Sequence, residues 1–111
     1  MYNGAFDNAL GIAVMLQAAT ELKADAAAPR RSLLFVAVTA EERGLLGATH
    51  FAQFPTVAKD SLVANINMDM FLPLFPLKSV MVLGLDESDL GDDVRAVAEE
   101  MKLGVQPDSQ P

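Results

Sequence analysis

Two continuous apolar runs constrain the fold of this chain more than any other feature of its sequence. Residues 32–38 (SLLFVAV) and 62–70 (LVANINMDM) are rich in residues that favour strands, and the first run shows no alternation of apolar and polar positions. Such runs are typical of strands that are covered on both faces of a sheet. A third strand is predicted over 79–85 (SVMVLGL), whereas two prolines in 71–77 exclude a central strand there.

Three helical segments separate and follow these runs. Residues 8–22 are apolar on nearly every face, which predicts a buried helix. A second helix is predicted over about 45–54, where Pro55 ends it. Ser88 or Asp89 is the expected cap of a third helix, whose apolar face is formed by Leu90, Val94, Val97 and Met101. The tail 105–111 (VQPDSQP) is predicted to be a loop.

Helices that alternate with buried strands predict an α/β fold, a three-layer α/β/α sandwich with a mostly parallel sheet. A length of 111 residues fits a single domain and is long enough to bury a core. Three strands are few for a covered parallel sheet, and no strand precedes the first helix. We therefore expect an incomplete domain, residues 1–111 being part of a larger one.

Composition restricts the classes of partner. A formal charge of −7 and a pI near 4.4 argue against nucleic acid and anionic membranes, which attract basic surfaces. The acidity suits either the concentration of cations or simple solubility. No run reaches the roughly 18 apolar residues that span a bilayer, and no basic residue precedes the apolar run 9–19, so we expect no signal peptide. Without cysteine, any metal must be held by oxygen or histidine ligands.

Four acidic residues stand where the predicted strands and helices meet. Asp7 opens the first helix, Glu41 and Glu42 follow the first strand, and Asp69 closes the second. Parallel strands bring such residues together at one sheet edge, where ligands bind. Four carboxylates repel one another there unless a cation lies among them, and a divalent metal is the simplest candidate.

Each acid also has a purely structural interpretation. Asp7 or Asn8 could cap the first helix, Thr39-x-x-Glu42 matches a capping box, and Glu41 could be a first-turn acid favoured by the helix dipole. Asp69 could be a solvated strand end, although its apolar neighbours make an unpaired carboxylate costly there. The joint pattern favours a metal site, in which some carboxylates bind the cation and a free one moves a proton.

Three stretches resemble the two-zinc aminopeptidases of clan MH, a group that includes leucine aminopeptidases, glutamate carboxypeptidases and the metal-free ectodomain of the transferrin receptor. They are YNGAFDNALGIAVMLQAA, RRSLLFVAVTAEERGLLGATHFA and LVANINMDM, which occur in family order and cover most of residues 2–70. The resemblance implies that Asp7 bridges two zinc ions, that Glu42 and Asp69 are terminal ligands of one zinc each, and that Glu41 is the general base. It also implies a cis peptide bond between Asp7 and Asn8.

The same resemblance places two further zinc ligands, both histidines, outside the 111 residues. The only histidine, His50, matches no ligand position and is expected to be a surface or packing residue. Phe6, Leu10 and Ala48 differ from the usual family residues, but none is at a ligand position, so they bear on substrate fit.

We therefore expect the central part of a zinc exopeptidase domain that hydrolyses N-terminal peptide bonds, from a family that is often secreted or periplasmic. This chain alone should have little activity and weak or no metal binding, with Ca²⁺ or Mg²⁺ as suitable as Zn²⁺. The alternatives are a non-catalytic interaction module that keeps the fold, or a fragment that folds by association. A peptide is the expected partner, together with a homo-oligomer formed through exposed strand edges.

Overall fold

The computed structural model describes residues 3–25, 27, 29–70 and 74–108. It divides into two compact units, a first unit of Met1–Phe71 and a second unit of Leu72–Pro111. The chain mixes helices with a small parallel sheet, so the predicted α/β class is confirmed in an incomplete form.

Helix α1 (Leu10–Ala24) is the longest element of the first unit. Its Ala, Leu and Met content favours helix, and its end at Asp25 is followed by a turn in which the Asp25 side chain accepts a hydrogen bond from the Ala27 N–H at 2.9 Å. The predicted burial of this helix is wrong: Gly11 is its one buried residue, and Leu16 is 59% exposed. An apolar helix becomes buried only where another element covers it.

Helix α2 (Leu46–Gln53) confirms the second predicted helix within one residue at each end. Short 3₁₀ turns lie at Glu41–Arg43 and Lys59–Ser61. The strands predicted over 32–38 and 62–70 are wrong as paired strands, because neither range, although fully described, joins a sheet. A covered strand needs hydrogen-bonding neighbours on its edges, and these runs have none in the described part of the chain.

The second unit is a strand–helix–strand motif. Strand β1 (Ser79–Val82) precedes helix α3 (Leu90–Glu100), and strand β2 (Gly104–Pro107) returns parallel to β1, with Ser79 opposite Gly104. Strand β1 is the third predicted strand, three residues shorter than expected. The loop predicted for the tail is wrong over 105–107, since these residues belong to β2, and residues 109–111 lie outside the described ranges. Residues 74–78 carry no strand, as the prolines predicted, whereas 71–73 are not described.

Helix α3 directs a different face inward from the one predicted. Its cap residue is Asp89, as one of the two alternatives proposed. Leu90 and Val94 are half-buried, and Ala98 is buried with only 4% of its surface exposed. Val97 and Met101 are exposed. The covered stripe therefore runs at spacings of four residues from Leu90.

Few apolar side chains are covered in either unit. Leu85 and Ala98, both in the second unit, are the buried hydrophobic residues among those described. The expectation that the chain buries a core of ordinary size is therefore wrong for the described residues. None of the helices in these ranges combines the length and apolar character needed to cross a bilayer.

Candidate functional site

A tight turn presents Glu41 and Glu42 between helix α2 and the apolar run before it. The Glu41 carbonyl accepts hydrogen bonds from Gly44 N–H at 3.0 Å and Leu45 N–H at 2.8 Å. Ala40 and Leu45 flank the turn with positive φ angles of 59° each, a conformation that residues with a Cβ rarely adopt. Local backbone strain of this kind concentrates at functional sites.

The capping-box interpretation of Thr39 and Glu42 is wrong. Neither the 3₁₀ turn nor α2 has a side-chain hydrogen bond at its cap residue. Thr39 takes part through its backbone, because its carbonyl accepts a hydrogen bond from Gly47 N–H at 3.0 Å. A Cβ at position 47 would lie 2.7 Å from the Thr39 nitrogen, so glycine is required for this close approach.

Asp7 lies in a single turn, Ala5–Ala9, that is closed by a hydrogen bond of 2.9 Å from Ala9 N–H to the Gly4 carbonyl. Asp7 and Asn8 have non-helical backbone angles there, and the peptide bond between them is cis, as the resemblance implied. Of the two predicted caps, Asn8 is the one that serves α1, since its Oδ1 accepts a hydrogen bond from Gly11 N–H at 2.9 Å.

Asp69 lies in the irregular segment that ends the first unit. Met70, directly after it, has a positive φ of 44°. Four non-glycine residues in the described ranges have positive φ, and Ala40, Leu45 and Met70 all adjoin the turns that carry the acids. The backbone is therefore held in uncommon conformations beside Glu41, Glu42 and Asp69.

Three other acids act on the carboxyl group of Glu42. The pKa of Glu42 is raised above its ordinary value, most of all by the negative charge of Asp7 and then by that of Glu41. Hydrogen bonding to Asp7, desolvation and the charge of Asp69 raise the same pKa further. Charges influence an exposed carboxyl in this way only at close range. Asp7, Glu41 and Asp69 therefore lie near Glu42 in the first unit.

The physical reason for this convergence differs from the one predicted. No sheet edge collects these acids, because the segments before Glu41 and Asp69 are unpaired in the described structure. Instead, the turn with positive φ angles at Ala40 and Leu45 presents Glu41 and Glu42. A hydrogen bond of 3.0 Å from Asn8 to the Met68 carbonyl joins the segments that carry Asp7 and Asp69. The sequence indicated Asn8 as a possible cap and as part of a cis peptide bond, but no local pattern signals its bond to a carbonyl 60 residues away.

His50 stands apart from the acid cluster in its interactions. Its ring lies 5.2 Å from that of Phe54, one turn along α2 with a tilt of 42°. An exposed aromatic pair at this spacing supports the predicted role as a surface or packing residue.

The donor chemistry of the cluster fits a divalent cation. Carboxylate oxygens bind zinc, and a cation would remove the mutual repulsion that raises the pKa of Glu42. Among the described residues, however, no three or more His, Cys, Asp or Glu side chains form a group that could hold a metal ion. The described residues therefore place acids near Glu42 without forming a metal site.

Comparison with known proteins places this geometry in context. The chain matches Peptidase family M28 over residues 1–111. It is 42% identical over 67 residues to a probable zinc metalloprotease of Pyrenophora tritici-repentis, which covers 60% of this chain and 15% of that protein. A probable zinc metalloprotease of Pyrenophora teres f. teres is 42% identical over 67 residues, with 60% of this chain and 14% of that protein covered.

A mammalian protein is similar over a comparable length. Aminopeptidase NAALADL1 of Mus musculus is 40% identical over 73 residues, with 61% of this chain and 10% of the mouse protein covered. The chain thus spans between 10% and 15% of the length of these curated relatives. No solved structure matches it. The resemblance stated from the three sequence stretches is confirmed at the level of the family.

Proposed function

Because this chain belongs to peptidase family M28, we propose that it forms part of the catalytic domain of a zinc-dependent exopeptidase that removes residues from peptide N-termini. The convergence of Asp7, Glu41 and Asp69 on Glu42 supports this proposal more than any other observation. The names of the relatives, zinc metalloprotease and aminopeptidase, agree with it.

Three of the acids would hold the metal. In this proposal Asp7, Glu42 and Asp69 would be the carboxylate ligands of the zinc, with Asp7 contributing to both ions if two are bound. When bound, zinc polarises the scissile carbonyl and lowers the pKa of water near it. The raised pKa of Glu42 fits a ligand role, since a carboxyl crowded by like charges gains most from a cation beside it.

Glu41 would move the proton. It takes a proton from the attacking water while the water oxygen bonds to the scissile carbon, and it then gives that proton to the leaving amine as the C–N bond breaks. Its neighbour Glu42 cannot do both tasks, because a carboxylate that binds metal is a poor base. Two adjacent acids on one strained turn allow this division of roles.

The isolated 111-residue chain is proposed to have little activity. Zinc sites use three or four protein ligands, and the single histidine of the sequence lies against Phe54. Weak binding of a divalent cation through the carboxylates is still compatible with this ligand set.

The test uses the complete protein and a leucine p-nitroanilide substrate. We expect turnover that a chelator abolishes and Zn²⁺ restores, and a loss of roughly 10²–10⁴-fold in kcat for Glu41→Gln. The control is Glu21→Gln, which alters an exposed glutamate that bonds Gln17 on α1. Zinc-independent turnover, or equal activity of Glu41→Gln and the control, would contradict the proposal.

One observation favours a second candidate function, association with another copy of the chain. Large apolar side chains are exposed in both units, among them Ile66 at 73% and Leu74 at 80%. Both strands of the sheet also have a free edge in the described structure. We expect a homo-oligomer in light scattering, and a monodisperse monomer would contradict it.

Retention of all four acids argues against an interaction module without catalysis.

A further inference from the structure

We infer that Asn8 is a positioning residue that sets the spacing between Asp7 and Asp69 by tying the turn of one acid to the backbone of the other. The inference rests on the proposed function for its consequence, zinc binding, but on hydrogen bonds alone for its geometry.

The Asn8 side chain makes two hydrogen bonds at once. Its Nδ2 donates to the Met68 carbonyl at 3.0 Å, and its Oδ1 accepts from Gly11 N–H at 2.9 Å. The amide group is therefore fully oriented, with its donor on one segment and its acceptor on the helix. Both bonds are partly buried, where water competes less for the amide.

The bond to Met68 joins positions that are 60 residues apart. By contrast, the side-chain hydrogen bonds of Gln17, Thr20, Asp25 and Ser61 each join residues two to four positions apart. A local bond stabilises a turn or a helix, whereas this one connects two distant segments of the first unit.

Both ends of the bond adjoin an acid of the cluster. Asn8 directly follows Asp7, and the Met68 carbonyl belongs to the peptide group that contains the Asp69 nitrogen. A shift of either end would therefore move one carboxylate relative to the other. A group that orients a metal ligand in this way affects metal binding without contacting the metal itself.

Gly11 makes the close approach possible. It is buried, and a Cβ there would lie 2.7 Å from the Met68 carbonyl oxygen and would overlap Asn8 Oδ1. The first turn of α1 thus packs directly against the carbonyl that Asn8 binds. A side chain at position 11 would displace both partners.

Two substitutions separate this role from simple helix capping. Asn8→Ser and Asn8→Asp both keep a side-chain acceptor that can cap α1. Serine is too short to reach Met68, and aspartate has no donor for its carbonyl. Asn8→Asp also adds a negative charge beside the cluster, which by itself would strengthen cation binding. Weaker binding of both variants therefore indicates lost positioning, because charge would act in the opposite direction.

The experiment measures the dissociation constant of Zn²⁺ for the complete protein by competition with a chromophoric chelator. We expect Asn8→Ser and Asn8→Asp to weaken binding by about 10–100-fold, as for other residues that orient metal ligands. Gly11→Ala should do the same from the opposite side of the contact. The control, Thr20→Ala, removes the hydrogen bond from Thr20 to the Leu16 carbonyl on the same helix and should leave zinc affinity unchanged.

A second measurement is independent of zinc. In the metal-free protein, we expect nuclear Overhauser contacts between the Asn8 side-chain amide protons and the Asp69 α proton, which lies on the same side of the peptide group as the Met68 carbonyl oxygen. Their absence overturns the positioning role whatever the zinc affinity. Unchanged zinc affinity in both Asn8 variants overturns that role and leaves the proposed function intact. If the unsubstituted protein binds no zinc, the proposed function fails, and the positioning role fails with it even where the Overhauser contacts are present.

Discussion

The two units of this chain differ in what they contain: the first has the interacting acids, and the second has the paired strands and the buried side chains. The first unit contains the four converging acids and three of the four positive-φ residues that have side chains, but its one buried residue in the described ranges is Gly11. The second unit contains the parallel strand pair and the buried side chains Leu85 and Ala98. Its acids Asp86 and Asp92 are paired with Arg95 rather than with one another.

The acids and positive-φ residues of the first unit carry a cost in stability. Like charges that crowd Glu42 and strained turns around the acids both disfavour the folded first unit when no cation is present. In the second unit, backbone pairing and a small apolar cluster favour folding without such opposition. Substitutions that reduce this charge repulsion or backbone strain should therefore stabilise the first unit and weaken the activity proposed for it.

The largest effect is expected for Leu85→Ala in the second unit. Leu85 is 6% exposed, so its truncation should cost about 2–4 kcal/mol in the free energy of unfolding. Its control, Leu83→Ala, removes the same atoms from a side chain that is 74% exposed and should cost less than about 0.5 kcal/mol. Urea denaturation measures both, and equal losses would show that the second unit has no effective core.

Gly47→Ala should have the next largest effect, in the first unit. Alanine favours helix over glycine by about 1 kcal/mol, yet a Cβ there meets the backbone of Thr39. We expect a net loss of about 1–3 kcal/mol, because backbone overlap outweighs helix propensity. The exposed Thr49→Ala, two residues further along α2, should instead be neutral or slightly stabilising. A stabilised Gly47→Ala would show that the turn does not depend on this contact.

Ala40→Gly and Lys102→Gly compare positive-φ residues in the two units. Their φ angles are 59° and 56°, and glycine relieves a cost of about 1–2 kcal/mol for this conformation while losing about 0.5–1 kcal/mol of chain entropy. Both should be stabilised by up to about 1 kcal/mol in thermal unfolding. If the complete protein has the proposed peptidase activity, only Ala40→Gly should reduce its turnover, because only Ala40 adjoins Glu41. Equal turnover for the two variants would remove the link between strain and function.

The smallest effect is expected for the pH dependence caused by Glu42, since solvent screens this exposed side chain. Its pKa is raised on folding, so the folded chain holds the proton more tightly than the unfolded chain. Stability should therefore be highest below the ordinary glutamate pKa and should fall as pH rises through the raised value. Glu42→Gln should remove this fall, whereas Glu21→Gln should keep it. Thermal unfolding of the metal-free protein between pH 3 and pH 8 checks this, and unchanged pH dependence in Glu42→Gln would assign the fall to another group.

Much of the site was predictable because its signals are local. The resemblance of three stretches identified the family, and helices α1, α2 and α3 followed from composition, from the caps at Asn8 and Asp89, and from Pro55 beyond the end of α2. The cis bond after Asp7 was also predicted correctly. The roles of these acids in binding zinc and moving protons stay predictions.

The sequence by itself determined which segments are helical and which residues carry the chemistry, since both depend on side-chain type and short-range spacing. Only the tertiary structure decided that residues 32–38 and 62–70 are unpaired, that Gly104–Pro107 is a strand, and that Asn8 connects to Met68. Burial and pairing require a second segment at the right place. An apolar run favours burial, but it becomes buried only when another segment of the chain packs against it.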